Sequence, residues 1–148
     1  MKFFLMRHGE AEAFAKTDRD RKLSDQGESM VRERITALRA VLSDIDCIVH
    51  SPYIRAHQTA YIVAELIGID RIKCSDLWIP EGRADDALSS VESFINSSPL
   101  FVTHMPLISQ VEALCAGNQR YPVPFSCGEI TEITADWPAA GLGYSSRF

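Results

Sequence analysis

Phe3-Phe4-Leu5-Met6-Arg7-His8-Gly9-Glu10 is the stretch from which the rest of the sequence is read. Four apolar residues run into an arginine, a histidine and a glycine. A short apolar run that stops at Gly marks a buried strand ending in a loop. In α/β proteins such strand ends open onto the crevice where ligands bind. Arg7 and His8 are thus delivered side by side to that crevice, and Gly9 lets the backbone turn sharply next to them. This pairing suits an anion held by the guanidinium fork and attacked, or protonated, by the imidazole.

Two later apolar runs echo the first. Cys47-Ile48-Val49-His50 leads directly into Ser51-Pro52-Tyr53-Ile54-Arg55. Ser51 as N-cap and Pro52 at the first helical position predict a helix there. Its apolar stripe is Ala56, Ala60, Val63, Ala64 and Ile67, and Gly68 stops it. Leu100-Phe101-Val102-Thr103-His104 is the third run. Pro106 then opens a helix with Leu107, Ile108, Val111, Leu114 and Cys115 on one face, ending at Gly117. Strands alternating with helices imply crossover units and a largely parallel sheet. If the three strands are parallel neighbours, Arg7, His8, Arg55 and His104 converge at one rim. Arg55 then lies in a first helical turn, where free N–H groups and the helix dipole also favour an anion. Two guanidiniums, two imidazoles and a helix N-terminus make a pocket for a phosphoryl group.

The segments between these runs are less informative. Ala11 to Lys22 reads as a polar loop with a short helix around Ala11 to Ala15. Ser24 or Asp25 caps the next helix, Asp25 and Glu28 stand at capping-box spacing, and Val31, Ile35, Leu38 and Leu42 form its apolar face. Arg71 to Cys74 is a short edge strand. Asp85 caps a helix carrying Ala87, Leu88, Val91, Phe94 and Ile95. Asn118 to Pro124 is a loop, and Cys127 to Ala135 is the last strand, with a bulge where Ile130 and Ile133 break alternation. The tail beyond Pro138 reads as loosely ordered.

The chain has 148 residues, which suits one domain over residues 1–148 with a real core. A formal net charge of −5 argues against a nucleic-acid partner, which usually meets a basic face. A local arginine cluster can still attract an anion to an acidic protein. No stretch is long enough to span a membrane, and Arg7 cuts the first apolar run too short for a signal peptide, so a cytoplasmic location is expected. Cys47, Cys74, Cys115 and Cys127 stand far apart with no C-x-x-C pair, which predicts buried reduced thiols rather than disulfides or a metal site.

Arg7-His8-Gly9-Glu10, Leu23-Ser24-x-x-Gly27, Ser51-Pro52-x-x-Arg55-Ala56-x-Gln58-Thr59 and His104-x-Pro106 resemble, in order, the motifs of the histidine phosphatase (phosphoglycerate mutase-like) superfamily. The short chain, with Thr103-His104-Met105-Pro106-Leu107-Ile108, is most similar to the SixA branch, the phosphohistidine phosphatases of bacterial phosphorelays. The resemblance implies an α/β fold with a mixed, mostly parallel central sheet and helices on both faces. It implies that His8 is the nucleophile that becomes phosphorylated and that Arg7, Arg55 and His104 bind the phosphoryl group. It implies no metal and no other cofactor. The expected partner is a phosphorylated histidine-phosphotransfer domain, with inorganic phosphate as product.

Larger members of the family carry a general-acid carboxylate between the second and third core strands. The candidate here is Glu81, although no family motif matches around it and a solvated loop glutamate is the competing reading. Glu10 reads as a loop carboxylate near the site. His50 and His57 read as structural or surface residues. Segments between the motifs are short, which predicts an open, shallow site suited to a protein surface. Two rival functions remain at this level: a small-molecule or phosphoserine phosphatase of the same superfamily, and a non-catalytic phosphate-binding module.

Overall fold

The computed structural model describes residues 1–118 and 120–148. The predicted loop from Asn118 to Pro124 therefore includes one position, 119, outside the described residues. Six strands form one mixed sheet: β1 (Lys2–Arg7), β2 (Cys47–His50), β3 (Ile72–Cys74), β4 (Pro99–Thr103), β5 (Ile130–Ala135) and β6 (Gly143–Arg147), in the order β3-β2-β4-β1-β5-β6. The expected convergence of the three strongest strands holds, because β4 lies between β2 and β1 and pairs in parallel with both. β3 is a parallel edge strand, and β5 and β6 are antiparallel.

Both faces of the sheet are covered. On one face Phe3, Leu5 and Phe101 pack with Leu107, Ile108 and Val111 of α4 (Leu107–Cys115) and Leu88 of α3 (Ala84–Ser90). On the other, Phe4, Met6, Leu100 and Val102 pack with Val31 and Ile35 of α1 (Asp25–Leu38) and Ala60 and Val63 of α2 (Ile54–Ile67). A strand buried on both sides has no polar face, which is why β1 reads as an unbroken apolar run. The same geometry removes the expected bulge in the last strand. Ile130 and Ile133 serve opposite faces, and the register from Ile130 opposite Met6 to Thr134 opposite Lys2 is uninterrupted.

Several expected boundaries shift. Residues 11–15 form no helix; Ala11 instead bridges to Leu23, and one 3-10 turn spans Asp18–Asp20. Ser24 is the cap of α1, accepting from the Gly27 N–H at 3.0 Å. Helix α2 begins at Ile54 with Tyr53 as N-cap, not at Ser51-Pro52. Arg83, not Asp85, is the N-cap of α3, whose last apolar residues continue as a 3-10 turn over Val91–Phe94. The last core strand begins at Ile130, and Cys127-Gly128-Glu129 form a turn in which Gly128 has φ of +74°, a backbone that favours glycine. The tail is not loose: β6 pairs with β5 over five positions, Thr131 with Arg147 to Ala135 with Gly143. All four cysteines are free, and only Cys47 and Cys115 are buried. Among the described residues no helix is long and apolar enough to cross a membrane.

Gly27 explains the Leu23-Ser24-x-x-Gly27 motif in steric terms. A Cβ on Gly27 would lie 2.0 Å from the Glu10 carbonyl oxygen, so only glycine lets α1 sit against the loop that follows His8. Gly27→Ala should therefore destabilise by at least roughly 1–3 kcal/mol, the usual cost of overpacking. It should also lower activity, because the clash pushes on the backbone next to Gly9. Thermal unfolding of the purified variant checks this, and an unchanged melting temperature would refute it.

Candidate active site

The site forms where β1, β4 and β2 end together. The His8 N–H donates to the Thr103 carbonyl and the Ser51 N–H to the Val102 carbonyl, so the three strand ends stay in step past their last paired residues. His8 and His104 then project side by side, with ring centroids 4.9 Å apart. Arg55, on the first turn of α2, reaches the same point. Its Nε donates to His8 Nε2 at 3.2 Å. Arg7 is held by its Nη1, which donates to the Phe125 carbonyl. The four residues expected from the sequence are thus brought together.

His8 has a defined tautomer. Its Nδ1 lies 2.6 Å from the Gly9 carbonyl oxygen, which can only accept, so Nδ1 carries the proton and Nε2 the lone pair. Burial, followed by the charges of Arg55, Arg7 and Arg21, lowers the His8 pKa to about 4 despite the bond to Gly9. Burial first, then His8 and the same two core arginines, lowers that of His104 to about 2. Both imidazoles are therefore neutral near pH 7, and His8 Nε2 is a nucleophilic nitrogen aimed among guanidiniums. Two buried polar atoms of the site, Arg7 Nε and His104 Nδ1, have no hydrogen-bond partner among the described residues. Such atoms cost roughly 1–3 kcal/mol each unless a ligand engages them, which is common at sites of function.

The short segments between motifs do not leave the site side chains exposed. His8 is 7% exposed, Arg55 5% and His104 1%. The segment after Gly9 folds back, with the Glu12 N–H bonded to the Lys22 carbonyl, and places Asp18 against Arg55. Arg55 Nη1 donates to the Asp18 backbone carbonyl at 2.7 Å and Nη2 to its carboxylate at 3.1 Å. Asp18 also accepts from Arg21 Nη1 at 2.9 Å, which brings a third arginine to the mouth.

Asp18 and Arg21 are absent from the sequence reading. They lie in a charged stretch without periodicity, and only the fold shows which charge meets Arg55. Ser51 is also more than a helix signal. Its hydroxyl lies 2.7 Å from His104 Nε2 and accepts from the Tyr53 N–H at 3.3 Å. Tyr53 walls the site, its ring 5.1 Å from that of His104 and 5.1 Å from the Arg55 guanidinium carbon. Glu81 touches this wall from outside, accepting from the Tyr53 hydroxyl at 3.1 Å. Among the described residues no carboxylate hydrogen-bonds either site imidazole. Glu10 is exposed and near the Ser24 hydroxyl, 3.3 Å away. His50 is buried with its Nδ1 donating to the Ser51 carbonyl, and His57 lies outside it on the surface.

A family model for the histidine phosphatase superfamily (branch 1) matches residues 3–78, half of the chain. The chain belongs to the histidine phosphatase superfamily. Among members of that superfamily, it is similar to the phosphohistidine phosphatase SixA homolog of Haemophilus influenzae, with 29% identity covering 92% of this chain and 89% of the relative. It is 28% identical to phosphohistidine phosphatase SixA of Escherichia coli, covering 92% and 86%. A solved structure of protein histidine phosphatase SixA complexed with tungstate superposes with a TM-score of 0.90 and 27% identity, covering 100% of this chain and 96% of the other. The histidine phosphatase fold is thus shared along the whole chain, including β5 and β6 beyond the matched residues.

Titration checks the electrostatics of the site. The unfolded His8 has an ordinary pKa of 6.5 and the folded one about 4, so the unfolded chain takes up the proton first as pH falls. The stability that His8 contributes is present above pH 6.5 and is lost as pH drops toward 4. The His8 ring resonances should therefore show a neutral Nδ1–H tautomer from pH 8 down to about pH 5. A midpoint near 6.5 by NMR would refute the assignment.

Proposed function

We propose that residues 1–148 form one catalytic domain that removes phosphoryl groups from protein histidines. The observation that carries this reading is the neutral His8, with Nδ1–H pinned on the Gly9 carbonyl and the Nε2 lone pair facing Arg55. The names of the two SixA relatives support the same substrate class.

In this reading the phosphoryl group enters between His8 and the guanidiniums. Arg55 Nε–H turns from the lone pair of Nε2 to a phosphoryl oxygen, and Arg7 and His104 hold the other oxygens. His8 Nε2 attacks phosphorus while the P–N bond of the substrate, whose ring is protonated on its other nitrogen, breaks, and a neutral imidazole leaves. The positive charge on the phosphorylated ring is supported by Nδ1–H donating to the Gly9 carbonyl. Water then cleaves phospho-His8 and releases inorganic phosphate. Charge on the equatorial oxygens is stabilised by arginine forks throughout.

The leaving group selects the substrate. An imidazole, with an ordinary pKa of about 6.5, departs readily, whereas a serine or sugar alkoxide needs a positioned acid worth roughly 10²–10⁴-fold. Glu81 reaches the site only through Tyr53 and is not assigned that role. The proposed partner is a cytoplasmic phosphorelay protein carrying a phosphorylated histidine-phosphotransfer domain.

His8→Ala should abolish turnover of phosphohistidine with the fold intact. Rapid quenching of the wild type should trap an acid-labile, base-stable phosphoryl group on His8. A serine-linked intermediate, or slow-binding behaviour with no turnover even of a generic aryl phosphate, would overturn the reading.

Glu81→Gln should change phosphohistidine cleavage less than twofold, about the level expected when no general acid is removed. Steady-state rates on phosphohistidine, phosphoserine and sugar phosphates check this. Efficient ester hydrolysis that collapses in Glu81→Gln would make Glu81 the acid and favour a small-molecule or phosphoserine substrate.

A further inference from the structure

We infer that Arg147, on the outermost strand β6, is a positioning residue for the phosphoryl-binding Arg7. It acts by clamping the segment whose Phe125 carbonyl holds the Arg7 guanidinium. The inference rests on the phosphoryl-binding role proposed above for Arg7.

Arg147 uses all five of its N–H donors. Nε and Nη2 bind the two carboxylate oxygens of Glu112 on α4. Nη2 also donates to the Val123 carbonyl and Nη1 to the Pro124 carbonyl, each at 2.8 Å. The fifth bond runs from Nη1 to the Glu129 carboxylate at 3.4 Å. The guanidinium carbon sits 3.8 Å from the centre of the Phe125 ring, a cation–π contact on a ring that is 1% exposed. One residue therefore ties β6, α4 and the start of the 123–129 segment together.

That segment is in direct contact with the strand end that carries the site. The Phe125 carbonyl accepts from Arg7 Nη1, the Glu129 carbonyl accepts from the Arg7 N–H, and the Gly128 N–H donates to the carbonyls of Arg7 and His8. Among the described residues Phe125 is the Arg7 side chain's hydrogen-bond partner, and Arg7 Nε has none. The direction of the Arg7 fork is thus set by where the Phe125 carbonyl lies. That carbonyl follows two consecutive peptide groups whose own carbonyls end on Arg147. Residues 123–125 form neither helix nor strand, so no backbone ladder fixes them independently.

Arg147→Ala would strand Glu112, which is 6% exposed, as an uncompensated buried charge and could unfold the protein. The informative variants are therefore Arg147→Lys and the double substitution Glu112→Leu with Arg147→Met. Replacing a buried pair by apolar residues of similar size is often neutral for stability. Lysine keeps a charge for Glu112 but cannot reach both carbonyls and stack on Phe125 together.

Inorganic phosphate binding, measured by calorimetry, is the readout, with thermal unfolding as control. Both variants should bind phosphate about tenfold more weakly at nearly unchanged melting temperature, short of the roughly hundredfold that an ångström of misplacement can cost. In an Arg7→Ala background the same substitutions should have no further effect, since they act through Arg7. Unchanged phosphate affinity in both variants, or a loss that adds fully to that of Arg7→Ala, would overturn the inference. Unchanged affinity in Arg7→Ala alone would instead overturn the role assigned to Arg7.

Discussion

The parallel pairing of β1 with β4, with Arg7 opposite Thr103, is the constraint on which the site depends. Each strand continues by one residue into a histidine, so a shared register delivers two imidazoles to the same level. The bond from the His8 N–H to the Thr103 carbonyl extends that register beyond the last pair. A slip of one residue would turn a side chain of each pair to the opposite face and separate the rings. Such a slip is costly here because both faces of β1 are buried, with Phe3 and Leu5 on one side and Phe4 and Met6 on the other.

The chemistry of the site follows from placing these imidazoles among arginines away from water. Burial and positive neighbours both oppose protonation, so His8 keeps its lone pair at neutral pH. The same arrangement leaves a buried guanidinium that needs an anionic partner. Asp18 supplies one from the mouth of the site, with its side chain 53% exposed and so in reach of solvent. Arg55 consequently spans from His8 to the surface. Its Nε–H occupies the His8 Nε2 lone pair, and a charged phosphoryl oxygen would be the stronger acceptor for it.

Support for the site comes from elements far along the chain. The 123–129 segment contacts Arg7 and His8 through backbone groups, and its turn depends on the positive φ of Gly128. Helix α1 closes the other side through Gly27, whose missing side chain admits the Glu10 backbone. The histidine phosphatase motifs thus mark two kinds of residue: those that carry charge or a lone pair, and those that leave room for the backbone around them.

Periodicity and punctuation in the sequence were enough to identify the three core strands, the helices between them and the convergence of Arg7, His8, Arg55 and His104. Those features are legible because a strand buried on both faces must be apolar throughout, and because the residues at its end are the first polar ones the chain allows. Tertiary structure alone decided the rest. The 3-10 turn that brings Asp18 to Arg55 has no apolar pattern, since its contacts are between charges. β6 is a polar edge strand, Gly-Tyr-Ser-Ser-Arg, held by backbone pairing with β5 and by Arg147 rather than by buried side chains. Ser51 looks like a helix cap locally, and only the neighbouring strand end reveals that its hydroxyl serves His104. Local sequence encodes burial and capping; which polar group meets which is set by the distance between segments that the sheet brings together.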